Sequence, residues 1–297
     1  MTSLHEDEVE QATLALARQL GREAIDLAWG ERTITGYKRD AFDVVTAPDV
    51  AIERHLRWRI GELFPTHAVL GEEQGLGGER GCCWTWVLDP IDGTFNYATG
   101  FPGAGSSIAL MKAGRTRVGA IADFALNTVF ACRRGSGVTW DGSAVPLDLG
   151  PATALGRARL LIDPGHQAPH PELFRAIQWF AERVVVVPRM IGSAAVSLAA
   201  VALTGGSFVG AGLEIWDAVA GTLLAEERGL TVHWWRLARD SSHHVLAGEP
   251  ELVETFEPGM PNFIRAWHCQ RADSPAGVSA DDLLGPSATI LVGHEDE

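Results

Sequence analysis

From about residue 145 the chain alternates strand-like and helix-like segments: "ARLLID", "PELFRAIQWFAERV", "VVVVP", "GSAAVSLAAVAL", "SFVGAG", "WDAVAGTLLAEERG" and "LTVHWW". Strands separated by helices restrict this region to a layered α/β arrangement. The preceding region has another texture. "WTWVLDP" reads as a strand, and "SSIALMKAGRTRVGAIADFALNTVFACRRGSGVTWDGSAV" alternates strand-like runs with turn signals at Lys112-Ala113-Gly114 and Asp141-Gly142, which predicts a largely antiparallel meander. Further upstream, residues 6 to 29 carry Val9, Ala12, Leu16, Leu20, Ala24 and Leu27 at helical spacing, with acids near the start. "FDVVTAPD" predicts a short extended segment stopped by Pro48, "DVAIERHLRWRIGELFP" a second helix closed by Pro65, and "AVLGEEQG" an apolar strand running into paired acids. The expected organisation is an α+β part over residues 1–145, an α/β part over 146–265 and a mobile tail over 266–297, rich in small and polar residues.

A chain of 297 residues can bury a substantial core as one large domain or two ordinary ones. Its 46% hydrophobic and 21% charged residues are those of a folded globular protein. The formal net charge of -14 argues against a nucleic-acid-wrapping surface, which needs clustered Lys and Arg. An acidic chain that takes an anionic ligand needs a local device to reverse the field, such as a metal ion or a helix N-terminus. The start "MTSLHEDEVEQ" lacks the regions of a secretory signal, and "GSAAVSLAAVALTGG" is too short to cross a bilayer. We expect a cytoplasmic protein without a membrane partner. Cys82, Cys83, Cys132 and Cys269 form neither a CxxC pair nor a zinc spacing, and read as idle thiols.

One stretch carries chemistry. "WVLDPIDGTFNY", residues 86 to 97, sets Asp89 and Asp92 either side of Pro90 and Ile91 at the end of an apolar strand, then continues with Gly93 and Thr94. Two carboxylates in one pocket raise each other's pKa unless a cation lies between them. Hard oxygen donors of this kind suit Mg²⁺, which also keeps waters and a substrate phosphate. Gly93 and Thr94 would open the following turn, where free N–H groups and a hydroxyl can hold a phosphate oxygen. Asp92 as a helix cap and Asp89 as a turn former account for the same hexapeptide equally well. Glu72 and Glu73 after the strand of "LGEEQG", and Asp217 at the head of the helix in "EIWDAVAG", supply further acids, each also readable as a charged turn or an N-cap.

Together "LGEEQG", "WVLDPIDGTFNYATGFP" and "IWDAVAGTLLAEERG" resemble the signature segments of the inositol monophosphatase family of magnesium-dependent, lithium-sensitive phosphomonoesterases. "FDVVTAPD" and "IGSAAVSLAAVALTGG" match in order, and the resemblance runs from about residue 6 to about 257. It implies an αβαβα sandwich, a homodimer and two or three Mg²⁺ per site. Glu72, Asp89 and the carbonyl of Ile91 would hold the first ion, and Asp89, Asp92 and Asp217 the second. Glu72 would assist a loosely bound third, with Glu73 nearby. Thr94 would cooperate with Glu72 in positioning and deprotonating the attacking water, and Asp92, Gly93, Thr94 and Asp217 would surround the phosphate. Asp43 and Thr46 would support the site from behind, and Gly192, Ser193 and Ala194 in "IGSAAV" would meet the organic part of the substrate. Close helix packing through small residues is the other reading of that last segment.

The match departs at one point. The family carries a sugar-contacting acid seven positions before the third segment's aspartate, where this chain has Gly210. Glu214 is near in sequence and could replace it or be a surface charge. Inositol monophosphate is therefore the default substrate, with histidinol phosphate, a sugar phosphate or bisphosphate, or a 3'-phosphorylated nucleotide as alternatives, and a dedicated biosynthetic role open. A non-catalytic assembly or transcription-associated role on the same fold is the competing class; the retained Glu72, Asp89, Asp92, Thr94 and Asp217 speak for catalysis. Adjacent His243 and His244 read as exposed and structural.

Overall fold

The computed structural model describes residues 2–30, 32–38, 43–78, 82–145, 158–165, 171–183, 186–237, 242–268 and 289–291. Its helices are α1 (Thr2–Ala28), α2 (Ala47–Leu63), α3 (Thr94–Thr99), α4 (Pro171–Ala181), α5 (Ala194–Thr204), α6 (Ile215–Glu227), α7 (Pro250–Phe256) and α8 (Met260–His268). A hairpin pairs β1 (Ile34–Tyr37) with β2 (Val44–Thr46). The first large sheet uses β3 (Ala68–Gly71), β4 (Gly75–Gly77), β5 (Trp84–Asp92), β6 (Gly105–Lys112), β7 (Arg115–Asp123), β8 (Thr128–Arg133), β9 (Val138–Trp140) and β10 (Ser143–Ala144), ordered β10-β9-β8-β7-β6-β5-β3-β4. The second uses β11 (Ala158–Asp163), β12 (Val186–Arg189), β13 (Ser207–Leu213), β14 (Thr231–Leu237), β15 (His243–Gly248) and β16 (Thr289–Leu291), ordered β12-β11-β13-β15-β14-β16.

These elements stack as α/β layers in the order helices, sheet, helices, sheet, helices. Buried residues of α1 and α2, among them Leu20, Ile25, Ile52 and Leu56, cover one face of the first sheet. Small and aliphatic residues of α5 and α6, such as Ala195, Leu198, Ala220 and Leu223, fill the space between the two sheets. Phe180 of α4, Phe256 of α7 and Phe263 of α8 close the far side with edge-on aromatic contacts. The alternation of the strands decides this sorting. On β11, Leu161 faces the middle layer while Leu160 and Ile162 face the outer helices, as the two-residue strand period requires.

The antiparallel meander from β5 to β10 and the strand-helix alternation after it are as the sequence predicts, with β3 added parallel to β5. Three details differ from expectation. Pro48 does not stop a strand but lies in the first turn of α2, where its missing N–H costs nothing. The buried face of α1 runs through Ala17, Leu20, Ala24 and Ile25, while Leu27 is exposed and covers no core. His243 and His244 are buried, 1% and 0% exposed, because β15 lies between β13 and β14. There His243 stands edge-on to Trp234, and the ring of His244 accepts the Gly212 N–H at 3.2 Å. In the tail, Thr289–Leu291 extends the second sheet parallel to β14; residues 269–288 and 292–297 lie outside the described set.

Candidate active site

Four carboxylates from three separate elements converge where the ends of β3 and β5 meet the head of α6. Asp89, Asp92 and Asp217 each bring a carboxylate oxygen within 4.8 Å of the others, and all three are buried. Glu72, in the turn after β3, stands beside Asp89 and raises its carboxyl through its charge and through the hydrogen bond that a protonated Asp89 would donate to it. Parallel pairing of β3 with β5 explains this: Gly71 stands opposite Leu88, and the Glu72 N–H donates to the Leu88 carbonyl at 3.2 Å. The next residue of each strand, Glu72 and Asp89, then emerges at the same sheet edge.

Two of the aspartates are anchored by one oxygen. Asp92 Oδ2 accepts from Ser193 Oγ and from the Ala195 N–H, both at 2.6 Å, at the start of α5. Asp217 Oδ2 accepts the Glu214 N–H at 2.8 Å, as an acid in the first turn of a helix can. Among the described residues Asp89 Oδ1 has no hydrogen-bond partner, although Asp89 is buried. An orphaned carboxylate oxygen at the centre of an acidic cluster is costly unless a cation meets it. The donors are hard oxygens, which fit a divalent cation of the magnesium type.

Electrostatics agree with this geometry. Burial, with Glu72, Asp92 and Asp217 adding to it, pushes the Asp89 carboxyl well above the usual range. Burial and then Asp163 raise Asp92 to about 8, against the opposing hydrogen bonds from Ser193 and Ala195. Burial, Asp92 and Glu72 raise Asp217 strongly, with Glu214 adding further. Lys38, at the end of β1, supplies positive charge: its Nζ stands 2.7 Å from Glu72 and 2.6 Å from Glu73. Burial pulls its pKa down, yet the two glutamates outweigh burial and hold it above the ordinary lysine value.

The remaining predicted residues are positioned around this cluster. Ile91 is buried at the end of β5, and its carbonyl accepts the Thr94 hydroxyl at 2.8 Å. Gly93 has φ +83°, and a Cβ there would stand 2.7 Å from the Gly103 carbonyl and 2.9 Å from that of Gly192, so only glycine fits. Asp43 is buried, its carbonyl closing the hairpin that carries Lys38. Ser193 caps α5 by accepting the Val196 N–H while it holds Asp92, and Ala194 is buried behind it. Gly210 lies in β13, in register with Asp163 of β11, and Glu214 is the N-cap of α6.

Several polar residues that support this region have no counterpart among the residues singled out from the sequence. Asp49 is wholly buried; its Oδ2 takes both the N–H and the hydroxyl of Thr46, and its Oδ1 lies 3.4 Å from Thr94 Oγ1. Burial is the largest cause of its rise to about 7, with Glu72 and Glu73 adding. Glu53 of α2 supports the acidic turn from behind: it accepts the N–H groups of Glu73 at 2.7 Å and Gln74 at 3.0 Å, and pairs with Arg57 at 2.7 Å. Asn96 donates to Gly103 at 2.9 Å and Ile191 at 2.7 Å, tying α3 to the loop before α5. An acid three residues after Thr46 is the capping-box spacing, a signal that could have located Asp49.

Known proteins give the same outline. Residues 5–252 match the family model described as the inositol monophosphatase family. Inositol monophosphatase 1 of Sus scrofa is 30% identical over 224 residues, 73% of this chain and 79% of that protein. The Pseudomonas aeruginosa protein named Nus factor SuhB is 30% identical over 266 residues, 84% of this chain and 98% of its own. Among solved structures, Mycobacterium tuberculosis SuhB superposes with a TM-score of 0.67 at 29% identity, covering 85% of this chain and 97% of that one.

Proposed function

This chain belongs to the inositol monophosphatase family and is a phosphoric monoester hydrolase; from that premise we propose that it hydrolyses a small phosphate monoester with Mg²⁺, inositol monophosphate being the default substrate. The observation that carries this reading is the orphaned oxygen of Asp89 at the centre of the Glu72, Asp92 and Asp217 carboxylates. Glu72, Asp89, Asp92, Asp217 and the Ile91 carbonyl would hold the cations, two or three per site. When bound, Mg²⁺ supplies the positive charge that makes a water easier to deprotonate and balances the departing alkoxide.

The chain's own residues do the rest. Thr94 donates its hydroxyl proton toward Asp49 or Ile91, which leaves its oxygen free to accept from a water aligned on phosphorus. Asp49, raised to about 7 by burial, can take the proton passed along that pair. Gly93 brings the Thr94 N–H to the head of α3, where a phosphate oxygen can be received with little steric hindrance. Ser193 keeps Asp92 aimed into the cluster. A small phosphorylated metabolite is the partner this implies; a homodimer, sensitivity to lithium and a cytoplasmic location are parts of the same proposal. Among the described residues no helix is long and apolar enough to cross a membrane.

Purified protein should release phosphate from at least one polyol, sugar or amino-alcohol phosphate with Mg²⁺ and release none in chelator. Asp92→Asn should abolish turnover while the fold is kept. Silence across a broad panel, with folded and metal-loaded protein, defeats the proposal. The Pseudomonas relative's name raises the second reading, an assembly role in transcription. Retention of the five residues Glu72, Asp89, Asp92, Thr94 and Asp217 favours catalysis, and an unchanged cellular phenotype of Asp92→Asn would reverse that order.

A further inference from the structure

One buried acid beside the cluster is not needed to hold a cation. Asp163 ends β11 and is 6% exposed. It stands two residues after Leu161, on the same face of the strand, and so projects into the layer between the sheets. Its Oδ1 accepts the Gly165 N–H at 2.8 Å; among the described residues no other donor or cation reaches the carboxylate. Its field acts on Asp92 more strongly than that of Glu72 does, which marks it as a close neighbour of the cluster although its oxygens are not among the converging set.

The topology explains what this place is for. β11 and β12 are parallel neighbours, yet β11 continues into α4 on the outer face and β12 into α5 in the middle layer. Strands whose connections leave to opposite faces open a crevice at their carboxyl ends, and ligands of α/β sheets bind there. On one side of this crevice stands Asp163; on the other is the segment Gly192–Ser193 that holds Asp92. The turn after Asp163 is fixed, since a Cβ on Gly165 would stand 2.6 Å from the Gly212 carbonyl and 2.9 Å from that of Ala211. On the adjacent strand the register partner of Asp163 is Gly210, which contributes no side chain.

We propose that Asp163 is the specificity residue that accepts a hydroxyl hydrogen bond from the alcohol portion of the substrate, selecting a neutral polyhydroxylated phosphomonoester. The assignment rests on the phosphatase reading above. An ester lacking donors would leave the buried carboxylate with the Gly165 N–H as its one donor among the described residues, and a second phosphate placed there would be repelled by it. A protonated amine would satisfy Asp163 but would face the cations of the adjacent cluster. A polyol hydroxyl meets neither objection.

Asp163→Asn separates this from a purely structural role, because asparagine keeps the turn to Gly165 and loses the charge. At saturating Mg²⁺, which removes any effect of the lost charge on metal occupancy at Asp92, kcat/KM of the variant on myo-inositol 1-phosphate should fall roughly 10- to 100-fold, chiefly through KM, with p-nitrophenyl phosphate hydrolysis within about twofold of wild type. Asp163→Ala should extend the loss on the polyol ester, and turnover of a sugar bisphosphate should rise in both variants. Equal losses on all esters, or an Asp163→Asn enzyme indistinguishable from wild type, overturn the assignment. If the wild type releases phosphate from none of them, the phosphatase reading fails instead. Calorimetric binding of myo-inositol 1-phosphate against inorganic phosphate then decides Asp163 alone: the variant must weaken the first and spare the second.

Discussion

Ser193 Oγ donates to Asp92 Oδ2 at 2.6 Å, across 101 positions of chain, and so ties the acid at the end of β5 to the helix that follows β12. The same hydroxyl accepts from Val196 as the cap of α5. Ser193→Ala removes both bonds, and stability should fall by about 1–3 kcal/mol. Asp92 would then be free to turn out of the cluster. The Mg²⁺ concentration giving half-maximal rate should rise about tenfold or more, with Ser193→Thr restoring most of it. A magnesium titration of activity checks this; an unshifted midpoint would mean that the Ala195 N–H alone holds Asp92 in place.

The crowded acids predict a pH-dependent stability in chelator. Asp49 is raised to about 7, Asp92 to about 8 and Asp163 to about 6, each mainly by burial, from an ordinary value of 3.8. A carboxyl whose folded pKa is raised stabilises the fold below its unfolded pKa, and that stability is lost as pH rises through the folded value. Metal-free protein should therefore lose melting temperature steadily from about pH 5 to pH 8. Saturating Mg²⁺ should flatten the decline, because a bound cation favours the ionised acids. Melting curves with chelator and with Mg²⁺ test the sign: stability rising over this interval without metal would contradict the burial of the cluster.

How much of this was legible in the sequence depends on range. Asp89, Asp92, Gly93 and Thr94 fall within six positions, and strand-to-turn chemistry placed them together without a fold. Glu72 and Asp217 are visible as acids at a strand end and a helix head, but their joining to Asp89 and Asp92 came from the resemblance alone; the parallel β3–β5 register and the β13–α6 connection are what bring them in. Glu53 and Asn96 stayed hidden because their work is to hold backbone groups of distant loops, which leaves no local pattern. His243 and His244 were misread for a related reason: "SSHHVLAG" gives no sign that its strand is internal, and only the sheet order buries it.

Lys38 stands where a cation is wanted, on Glu72 and Glu73, with its side chain 27% exposed. A divalent ion that engages Glu72 must compete with this ammonium. A partly exposed pair of this kind contributes about 1 kcal/mol, so Lys38→Met should tighten Mg²⁺ binding in the absence of substrate by about fivefold. Calorimetric titration of wild type and variant measures it. Weaker binding in the variant would mean that Lys38 helps to form the site rather than to guard it.

Glu53 holds the Glu72–Gln74 turn through two N–H groups, and Arg57, its partner one helical turn on, also binds the Val69 carbonyl at 3.1 Å. Removing the carboxylate takes the acceptor from two backbone N–H groups and from the Arg57 Nε, whose other nitrogens keep the Val69 and Gly75 carbonyls, in a largely enclosed place. Glu53→Ala should cost about 3–5 kcal/mol, as breaking a buried pair does. Glu53→Gln keeps one acceptor and should cost less, while still raising the Mg²⁺ requirement, since Glu72 lies next to the loosened turn. Chemical denaturation gives the first effect and activity against Mg²⁺ the second; a destabilised variant with an unaltered Mg²⁺ requirement would confine Glu53 to the fold.

Asp49 and Thr94 make the sharpest test of the chemistry, because neither is among the acids proposed to hold metal. Asp49→Asn preserves the shape and an acceptor for Thr46, but cannot take up the proton that Thr94 would pass on. The expected result is a fall in kcat of about 10²–10⁴-fold, the range of general-base contributions. KM and the Mg²⁺ midpoint should change little, since the cluster and the anion-binding turn are untouched. Thr94→Ser keeps the hydroxyl and should retain activity, whereas Thr94→Val should resemble Asp49→Asn. If the double variant Asp49→Asn/Thr94→Val loses the product of the two single losses, the residues act independently and the relay is wrong; a loss no greater than either single variant is the signature of one shared proton path.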